Sequence, residues 1–224
     1  MYIIMLGAPG SGKGTIGADI CKHYNLTHLA TGDIFRDEIK NQTALGKEAE
    51  KYISQGKLVP DEITIKLVEK QLSELDGAVL DGFPRTVEQA HALDLFLSSR
   101  GRSITAVIDL NVPDEDLVVR TSCRVMCSNK SCRAAYNTKF MPPKVEGICD
   151  VCGSALIRRA DDVPEIIRNR LKVYHEETEQ LINYYKEKEL LEPIDIDIYS
   201  ETTREDTTTK TFDAIDKRIE DDAE

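Results

Sequence analysis

The sequence predicts an α/β protein in which helices pack on both faces of a parallel sheet. Three short apolar runs, residues 2–6, 77–81 and 104–110, have the pattern of strands that are buried on both faces. Between these runs lie segments with apolar residues every three or four positions, which is the spacing of one helical face. Because strands and helices alternate along the chain, we expect the strands to run parallel.

The same patterns of apolar residues predict the remaining elements. Two stretches interrupt the alternation and are interpreted as insertions into one core: residues 31–59 are charged and mostly helical in pattern, and residues 125–162 contain most of the cysteines. The acidic C-terminal end is interpreted as a solvated helix end. Predicted helices cover residues 15–24, 63–75, 87–97 and 164–189, and residues 194–198 are the predicted last strand.

Composition limits the classes of function. A length of 224 residues is enough for one domain with insertions, and 41% hydrophobic with 31% charged residues excludes a disordered chain. The net charge of −11 repels a phosphate backbone, so no nucleic-acid partner is expected. No basic leader and no apolar run of about 20 residues is present, so we expect no signal peptide, no membrane contact and a cytoplasmic location.

A glycine-rich loop follows the first predicted strand. Residues 7–15 read Gly-Ala-Pro-Gly-Ser-Gly-Lys-Gly-Thr and stand between a strand and a helix, the context in which such a loop wraps phosphates. Glycines allow successive backbone N–H groups to point at an anion, and Lys13 can reach the terminal phosphates. Thr15 lies one position later than the hydroxyl residue of the strict motif, which weakens its case as a metal ligand. The alternative is a plain strand-to-helix turn.

Polar clusters punctuated by glycine stand at the ends of other predicted elements. They cover residues 31–36, 56–61 and 81–86, and Gln89 follows the last of them. Arginines in two of the clusters, Arg36 and Arg85, offer planar donor forks that suit phosphate. Taken one at a time, these residues also fit ordinary roles, such as an exposed helix arginine or a helix cap.

Together with the glycine-rich loop, these clusters resemble those of the adenylate kinases, and the resemblance covers residues 2–197. It implies the P-loop nucleoside-monophosphate kinase fold, with a core formed by residues 1–29, 60–124 and 163–224. Residues 30–59 would form an AMP-binding helical insertion, here called the flap, and residues 125–162 a mobile, zinc-bearing lid. The implied reaction is reversible phosphoryl transfer from Mg-ATP to AMP, giving two ADP, in adenine nucleotide homeostasis and AMP salvage. A monomer with ATP, AMP and ADP as its only partners is expected.

The resemblance also implies roles for individual residues. AMP would be held by Thr31, Arg36, Lys57, Leu58, Val59, Gly82, Phe83, Pro84, Arg85, Gln89, Arg159 and Arg170. ATP would be held by Gly10, Ser11, Gly12, Lys13, Gly14, Thr15, Arg124, Ala135, Tyr136 and Ser200. The catalytic positive charge would come from Lys13, Arg85, Arg120, Arg124, Arg159 and Arg170, with Arg120 and Arg124 placed four apart on one helix. Asp33 and Asp81 would orient Mg²⁺ through water, and Asp161 and Asp162 would steady the lid arginines.

Cysteines cluster in the second insertion. Five of the six lie between Cys123 and Cys152, which favours a metal site over disulfides. Cys149 and Cys152 are separated by two residues, a spacing that suits two ligands of one Zn²⁺. The family's lid implies a structural zinc site formed by Cys127, Cys132, Cys149 and Cys152, although four residues separate the first pair where two are usual. Cys123 is a competing fourth ligand, and a reduced, metal-free lid is the alternative.

Two other functions fit part of the sequence. A pyrimidine monophosphate kinase shares the phosphate loop and the Asp-Gly-Phe-Pro-Arg motif of residues 81–85. Its relatives tend to have alanine in place of Thr31 and a short lid without cysteines. An ATP-gated zinc-ribbon protein that binds nucleic acid is a candidate from another class, but it needs a basic surface that this acidic chain lacks.

Overall fold

The computed structural model describes residues 1–129, 131–196 and 204–221. Its central sheet has five strands in the order β2-β3-β1-β4-β8, and the four pairings are all parallel. The elements are β1 (Tyr2–Leu6), α1 (Lys13–Tyr24), β2 (Thr27–Ala30), α2 (Thr31–Lys40), α3 (Ala44–Ile53), α4 (Asp61–Leu72), β3 (Ala78–Asp81), α5 (Val87–Ser98), β4 (Ala106–Asn111), α6 (Asp114–Ser122), β5 (Arg124–Cys127), β6 (Ala135–Asn137), β7 (Leu156–Ile157), α7 (Pro164–Val173), α8 (Gln180–Glu187), β8 (Leu191–Asp195) and α9 (Arg204–Asp221). The predicted α/β fold with a parallel sheet is confirmed.

The core lies on both faces of this sheet, which explains why β1 is apolar without interruption. Tyr2, Ile4 and Leu6 pack on one face, against residues of α4, α5 and α8. Ile3 and Met5 pack on the other face, against α1 and α9. Since alternate strand residues point to opposite faces, a strand covered on both sides needs every residue to be apolar. The glycine-rich loop that follows β1 therefore begins at the end of a fully buried strand.

Some element boundaries predicted from the sequence are wrong. β2 was not predicted, because its four residues, Thr-His-Leu-Ala, contain no continuous apolar run. The last strand is Leu191–Asp195 rather than residues 194–198, since Glu192 and Pro193 interrupt the apolar pattern of an edge strand. Asp197 and Ile198 of that predicted strand, and Ser200, lie outside the described residues. The long helix over residues 164–189 contains a π-helical turn, Tyr174–Thr178, between α7 and α8.

The two predicted insertions differ in structure. The flap contains α2 and α3, and the Thr43 side chain caps α3 by accepting from the backbone N–H of Gly46. The lid contains a small antiparallel sheet in the order β6-β5-β7, with a cluster of buried residues that includes Val125 and Tyr136. Among the described helices, none combines the length and apolarity that a membrane span requires.

Candidate active site

The phosphate loop joins β1 to α1 with a backbone that glycine favours. Gly7, Gly10 and Gly12 all have positive φ, at 127°, 92° and 109°. At Gly10 there is also no room for a side chain, because a Cβ there would lie 2.2 Å from the Thr121 hydroxyl oxygen of α6. The loop is thus fixed by close packing against α6 as well as by its own conformation.

Lys13 begins α1, and its side chain folds back over the loop. Its Nζ donates hydrogen bonds to the carbonyl oxygens of Gly7, at 2.7 Å, and Ala8, at 2.8 Å. Burial is the largest cause that lowers the pKa of Lys13 to about 8; Asp81 opposes the lowering, and the positive charges of Arg85, Arg170 and Arg124 contribute to it. These arginines therefore lie near enough to Lys13 to interact with its charge.

Asp81 ends β3 next to this lysine. Burial alone would raise the pKa of its carboxyl group, but contacts with His28 and Lys13 outweigh burial and hold the pKa below its ordinary value. The His28 Nε2 atom lies 3.7 Å from an Asp81 carboxylate oxygen. A Cβ at Gly14 would lie 3.3 Å from the same carboxylate group, so Asp81 faces the start of α1. An ionised carboxylate thus stands at the carboxyl edge of the sheet, where α/β folds bind ligands.

A cleft opens between the flap and the end of β3. Thr31 and Arg85 both donate to the carbonyl oxygen of Gly82, each at 2.8 Å, and join the first residue of α2 to the core. Burial lowers the pKa of Arg85 to about 10. Of the residues predicted for AMP, the cleft is lined by Thr31, Arg36, Lys57, Leu58, Val59, Gly82, Arg85, Gln89 and Arg170. Phe83 and Pro84, which follow Gly82, are buried, and Arg159 of the lid contacts Asp33 of the flap.

Asp61 positions Gln89, which lines the cleft, and was not assigned a role from the sequence. Its two carboxylate oxygens accept hydrogen bonds from Gln89 Nε2 and from the Thr86 hydroxyl, both at 2.7 Å. This fixes the amide of Gln89, whose Oε1 accepts from the backbone N–H of Arg85 at 2.8 Å. Its position directly after Pro60, at the end of a motif in residues 56–61, was the available signal.

The predicted arginines lie on different elements, and the predicted helical position of Arg124 is wrong. Arg120 lies on α6, but Arg124 is the first residue of β5, because the helix ends at Ser122. Arg124 forms a bidentate pair with Asp162, at 2.9 and 2.5 Å. Arg120 lies over the loop, where its Nη2 would be 3.7 Å from a Cβ at Gly12.

Other arginines are paired across the mouth of the site. Arg170 of α7 contacts Asp161 at 2.8 Å, and Arg159 of the lid contacts Asp33 of the flap at 3.3 Å. Arg36 also pairs with Asp33. Burial lowers the pKa of Arg159 to about 10 and also lowers that of Arg170. Positive charges held close together repel one another, so the carboxylates of Asp33 and Asp161 stabilise this group of arginines.

Four cysteines of the lid lie close enough to hold one metal ion. The Sγ atoms of Cys127, Cys132, Cys149 and Cys152 are all within 4.8 Å of one another, with 3.4 Å between Cys127 and Cys152 and 3.7 Å between Cys132 and Cys149. Four thiolates at about 2.3 Å from a tetrahedral Zn²⁺ would be about 3.8 Å apart, so the donor set fits zinc. Cys123, the competing fourth ligand, does not belong to this group; it directly follows the end of α6.

Two further residues predicted for ATP lie on β6, beside the cysteines. Ala135 is partly buried, and the side chain of Tyr136 packs inside the lid. The Tyr136 hydroxyl accepts from the backbone N–H of Asp150 at 2.8 Å and lies 3.5 Å from Cys149 Sγ. The Tyr136 ring is therefore part of the lid's interior.

Comparison with known proteins places this geometry in a family. The sequence model of the adenylate kinase family matches residues 5–190. The chain belongs to the adenylate kinase family. An adenylate kinase of Lachnospira eligens is 52% identical over 198 residues, covering 87% of this chain and 92% of the relative. An adenylate kinase of Caldicellulosiruptor bescii is 45% identical over 218 residues, covering 96% and 99%. An adenylate kinase of Staphylococcus aureus is 47% identical over 198 residues, covering 87% and 91%.

The adenylate kinase relationship confirms the predicted family and the phosphate-loop kinase fold. It extends across the glycine-rich loop, the flap, the cleft residues and the lid, since residues 5–190 contain all of them. Family members use Mg²⁺ with ATP, and the four-cysteine cluster is compatible with zinc.

Proposed function

We propose that this adenylate kinase transfers the terminal phosphoryl group of Mg-ATP to AMP and, in reverse, forms ATP and AMP from two ADP. The observation that carries the proposal is the placement of cations at both sites: Arg85 and Arg170 line the cleft, and Lys13 folds over the phosphate loop. Cations that border both the phosphate loop and the cleft suit a phosphoryl group that passes between two nucleotides.

The cleft is the proposed AMP site. Thr31 and the backbone of residues 57–59 would contact the adenine, with Gln89 held by Asp61 to face the same base. Arg36, Arg85, Arg159 and Arg170 would bind the α-phosphate. Gly82, Phe83 and Pro84 form the turn that sets the direction of Arg85.

The phosphate loop is the proposed ATP site. Its backbone N–H groups, from Gly10 to Thr15, would surround the β-phosphate at the N-terminus of α1. Lys13 would exchange its two carbonyl contacts for the terminal phosphates. Arg120 and Arg124 would lie over the triphosphate, and Ala135, Tyr136 and Ser200 would border the donor adenine.

The chemistry needs alignment and positive charge rather than a nucleophilic side chain. The acceptor phosphate oxygen attacks in line, and the bond from the γ-phosphorus to the bridging oxygen of ADP breaks as the new one forms. Lys13, Arg85, Arg124 and Arg170 would stabilise the charge spread over the three equatorial oxygens. Closing of the lid and the flap would exclude water, which otherwise competes as the acceptor.

The Mg²⁺ that accompanies ATP neutralises phosphate charge. We propose that Asp81 and Asp33 orient it through water. Asp81 is the better placed of the two, because it stands beside the phosphate loop, whereas Asp33 accepts from arginines of the flap and the lid.

We propose that the lid cysteines Cys127, Cys132, Cys149 and Cys152 hold one structural Zn²⁺. Four thiolates leave no open position for water or substrate, so the ion would act on the fold and not on the reaction. The lid has a small apolar cluster, and closing its long loops is the contribution expected from the metal.

The domain division and the cellular setting are proposals of the same kind. We propose that residues 30–59 move as the flap and 125–162 as the lid, against a core formed by the rest. A monomer in the cytoplasm suits reduced thiols and a site completed within one chain. The net charge of −11 disfavours nucleic acid as a partner.

A coupled assay of ADP formation tests the function, run with AMP, CMP, UMP and GMP as acceptors. We expect turnover with AMP at least a hundredfold above the others. Preference for CMP or UMP would assign the chain to the pyrimidine kinases. A gel shift with bulk RNA and DNA, together with no ADP formation, would favour the nucleic-acid-binding alternative.

A further inference from the structure

Arg133 stands in an unfavourable backbone position. It follows the zinc-site cysteine Cys132 and has a φ of 49°, in the left-handed region that favours glycine and asparagine. The other described lid residues with positive φ are both glycines, Gly147 and Gly153. The turn is hydrogen-bonded, since the N–H groups of Cys132 and Arg133 both donate to the Asn129 carbonyl. A glycine would adopt this backbone conformation without strain, so the turn itself does not account for an arginine at this position.

The Arg133 guanidinium contacts the flap, on the opposite side of the site mouth. Its Nη1 donates to Asp33 at 3.0 Å and its Nη2 to Asp37 at 3.1 Å. These carboxylates are four residues apart on one face of α2, and a planar fork can engage both at once. The second oxygen of Asp33 accepts from Arg36 and Arg159, whereas Asp37 pairs with Arg133 through its own carboxylate.

We propose that Arg133 is a positioning residue that latches the zinc-bearing lid to the flap when both close over the nucleotides. The latch rests on the proposed function, because it concerns closure of the same site. Arg133 touches no reacting atom; it acts by stabilising the closed arrangement in which the cleft and the phosphate loop face one another. The turn after Cys132 aims its side chain, so the organisation of the cysteine cluster and the closure of the site are linked.

The latch has a predictable effect on ligand binding. Each contact is a partly exposed ion pair, of a kind that contributes modestly and is weakened by salt. Together the two pairs should tighten the binding of a ligand that fills both sites by about three- to tenfold. The KM for AMP should rise when the latch is removed, and kcat should not fall, because opening becomes easier.

The test uses the full-length zinc-loaded enzyme and a bisubstrate inhibitor of two adenosines joined by five phosphates. Arg133→Asn keeps a residue that tolerates positive φ, and Arg133→Gly removes the side chain entirely. We expect each to weaken inhibitor binding about three- to tenfold, with zinc content retained and the melting temperature unchanged or raised. Arg158→Asn is the matched control, since it removes an exposed lid arginine for which no latch contact is expected, and it should leave binding within twofold.

A double-mutant cycle identifies the partner. Asp37→Asn should weaken binding in the wild-type background and have a smaller effect when Arg133→Gly is present. The salt dependence of inhibitor affinity should also be shallower in Arg133→Gly. Unchanged affinity in both Arg133 variants, an equal loss in Arg158→Asn, or fully additive effects of Arg133→Gly and Asp37→Asn would overturn the latch. Failure of the wild-type protein to bind the inhibitor would instead count against the proposed function.

Discussion

Arg85→Ala separates the functional role of this arginine from a structural one. Arg85 is partly buried at the base of the cleft, and its Nε donates to the Gly82 carbonyl at 2.8 Å. A lowering of its pKa from 12.5 to about 10 corresponds to a cost of about 3 kcal/mol for holding the charge in the fold without a phosphate. Loss of one charge-assisted hydrogen bond costs about 1.5–3 kcal/mol.

The two contributions have opposite signs and similar size, so the free energy of unfolding should change by no more than about 1.5 kcal/mol. For a chain of this length the melting temperature should then move by about 3–6 °C at most. The rate should nevertheless fall about 10²–10³-fold, the usual effect of removing a donor that stabilises developing charge. Activity and stability are thus expected to separate.

The assay is coupled ADP formation at saturating ATP and AMP, with a thermal melt on the same sample. Arg100→Ala is the matched control, because Arg100 is an exposed arginine lying over Phe96 and distant in the fold from the cleft loop. It should retain full activity. ADP formation by Arg85→Ala near the wild-type rate would refute the site assignment. A large fall in melting temperature together with the rate would show that Arg85 serves the fold.

Three other predictions follow from the site. Because burial lowers the pKa of Lys13 to about 8, this lysine loses its proton as the pH rises through 8, and kcat/KM for ATP should fall about tenfold per pH unit above that value; in Lys13→Arg the fall should begin at higher pH, and an unchanged profile would contradict the assignment. Elemental analysis should find one zinc per chain, with chelation or Cys152→Ser lowering the melting temperature of the lid and Cys123→Ser without effect; zinc fully retained in a Cys127→Ser, Cys132→Ser double variant would disprove the site. Saturation with the bisubstrate inhibitor should reduce the radius of gyration in solution scattering, and an unchanged radius would count against moving insertions.

The sheet could be predicted because its physical signal is local. β1 is apolar at every position and is followed by a glycine; residues 78–80 are also apolar, and residues 106–110 are apolar except for the buried Asp109. β2 escaped prediction because it is an edge strand in which only Leu29 is buried. A strand with one covered face and four residues has too short a pattern to distinguish from a loop.

The site could be predicted only as far as motifs reach. Motif spacing brought Lys13, Arg85 and the four lid cysteines to notice, because each lies in a short pattern with its own chemistry. Asp37 has no such pattern, and although Asp61 ends the motif of residues 56–61, the importance of both comes from partners 25 to 96 residues away. Since these pairings depend on how the flap and the lid approach the core, no short window of sequence contains them.

The contacts between the lid and the flap explain how such insertions can close and reopen. The apolar cluster of the lid includes only lid residues, and that of the flap extends only to α4, so no described apolar cluster joins the two. They meet through ion pairs: Arg159 and Arg133 of the lid with α2, and Arg36 with Asp161 at 4.0 Å. Exposed pairs contribute about 0.2–1 kcal/mol each, whereas a buried leucine contributes about 1.5–3 kcal/mol. If the flap and the lid move as proposed, a seam of ion pairs would keep the open and closed arrangements closer in free energy than an apolar seam, and the phosphates of two bound nucleotides would shift the balance.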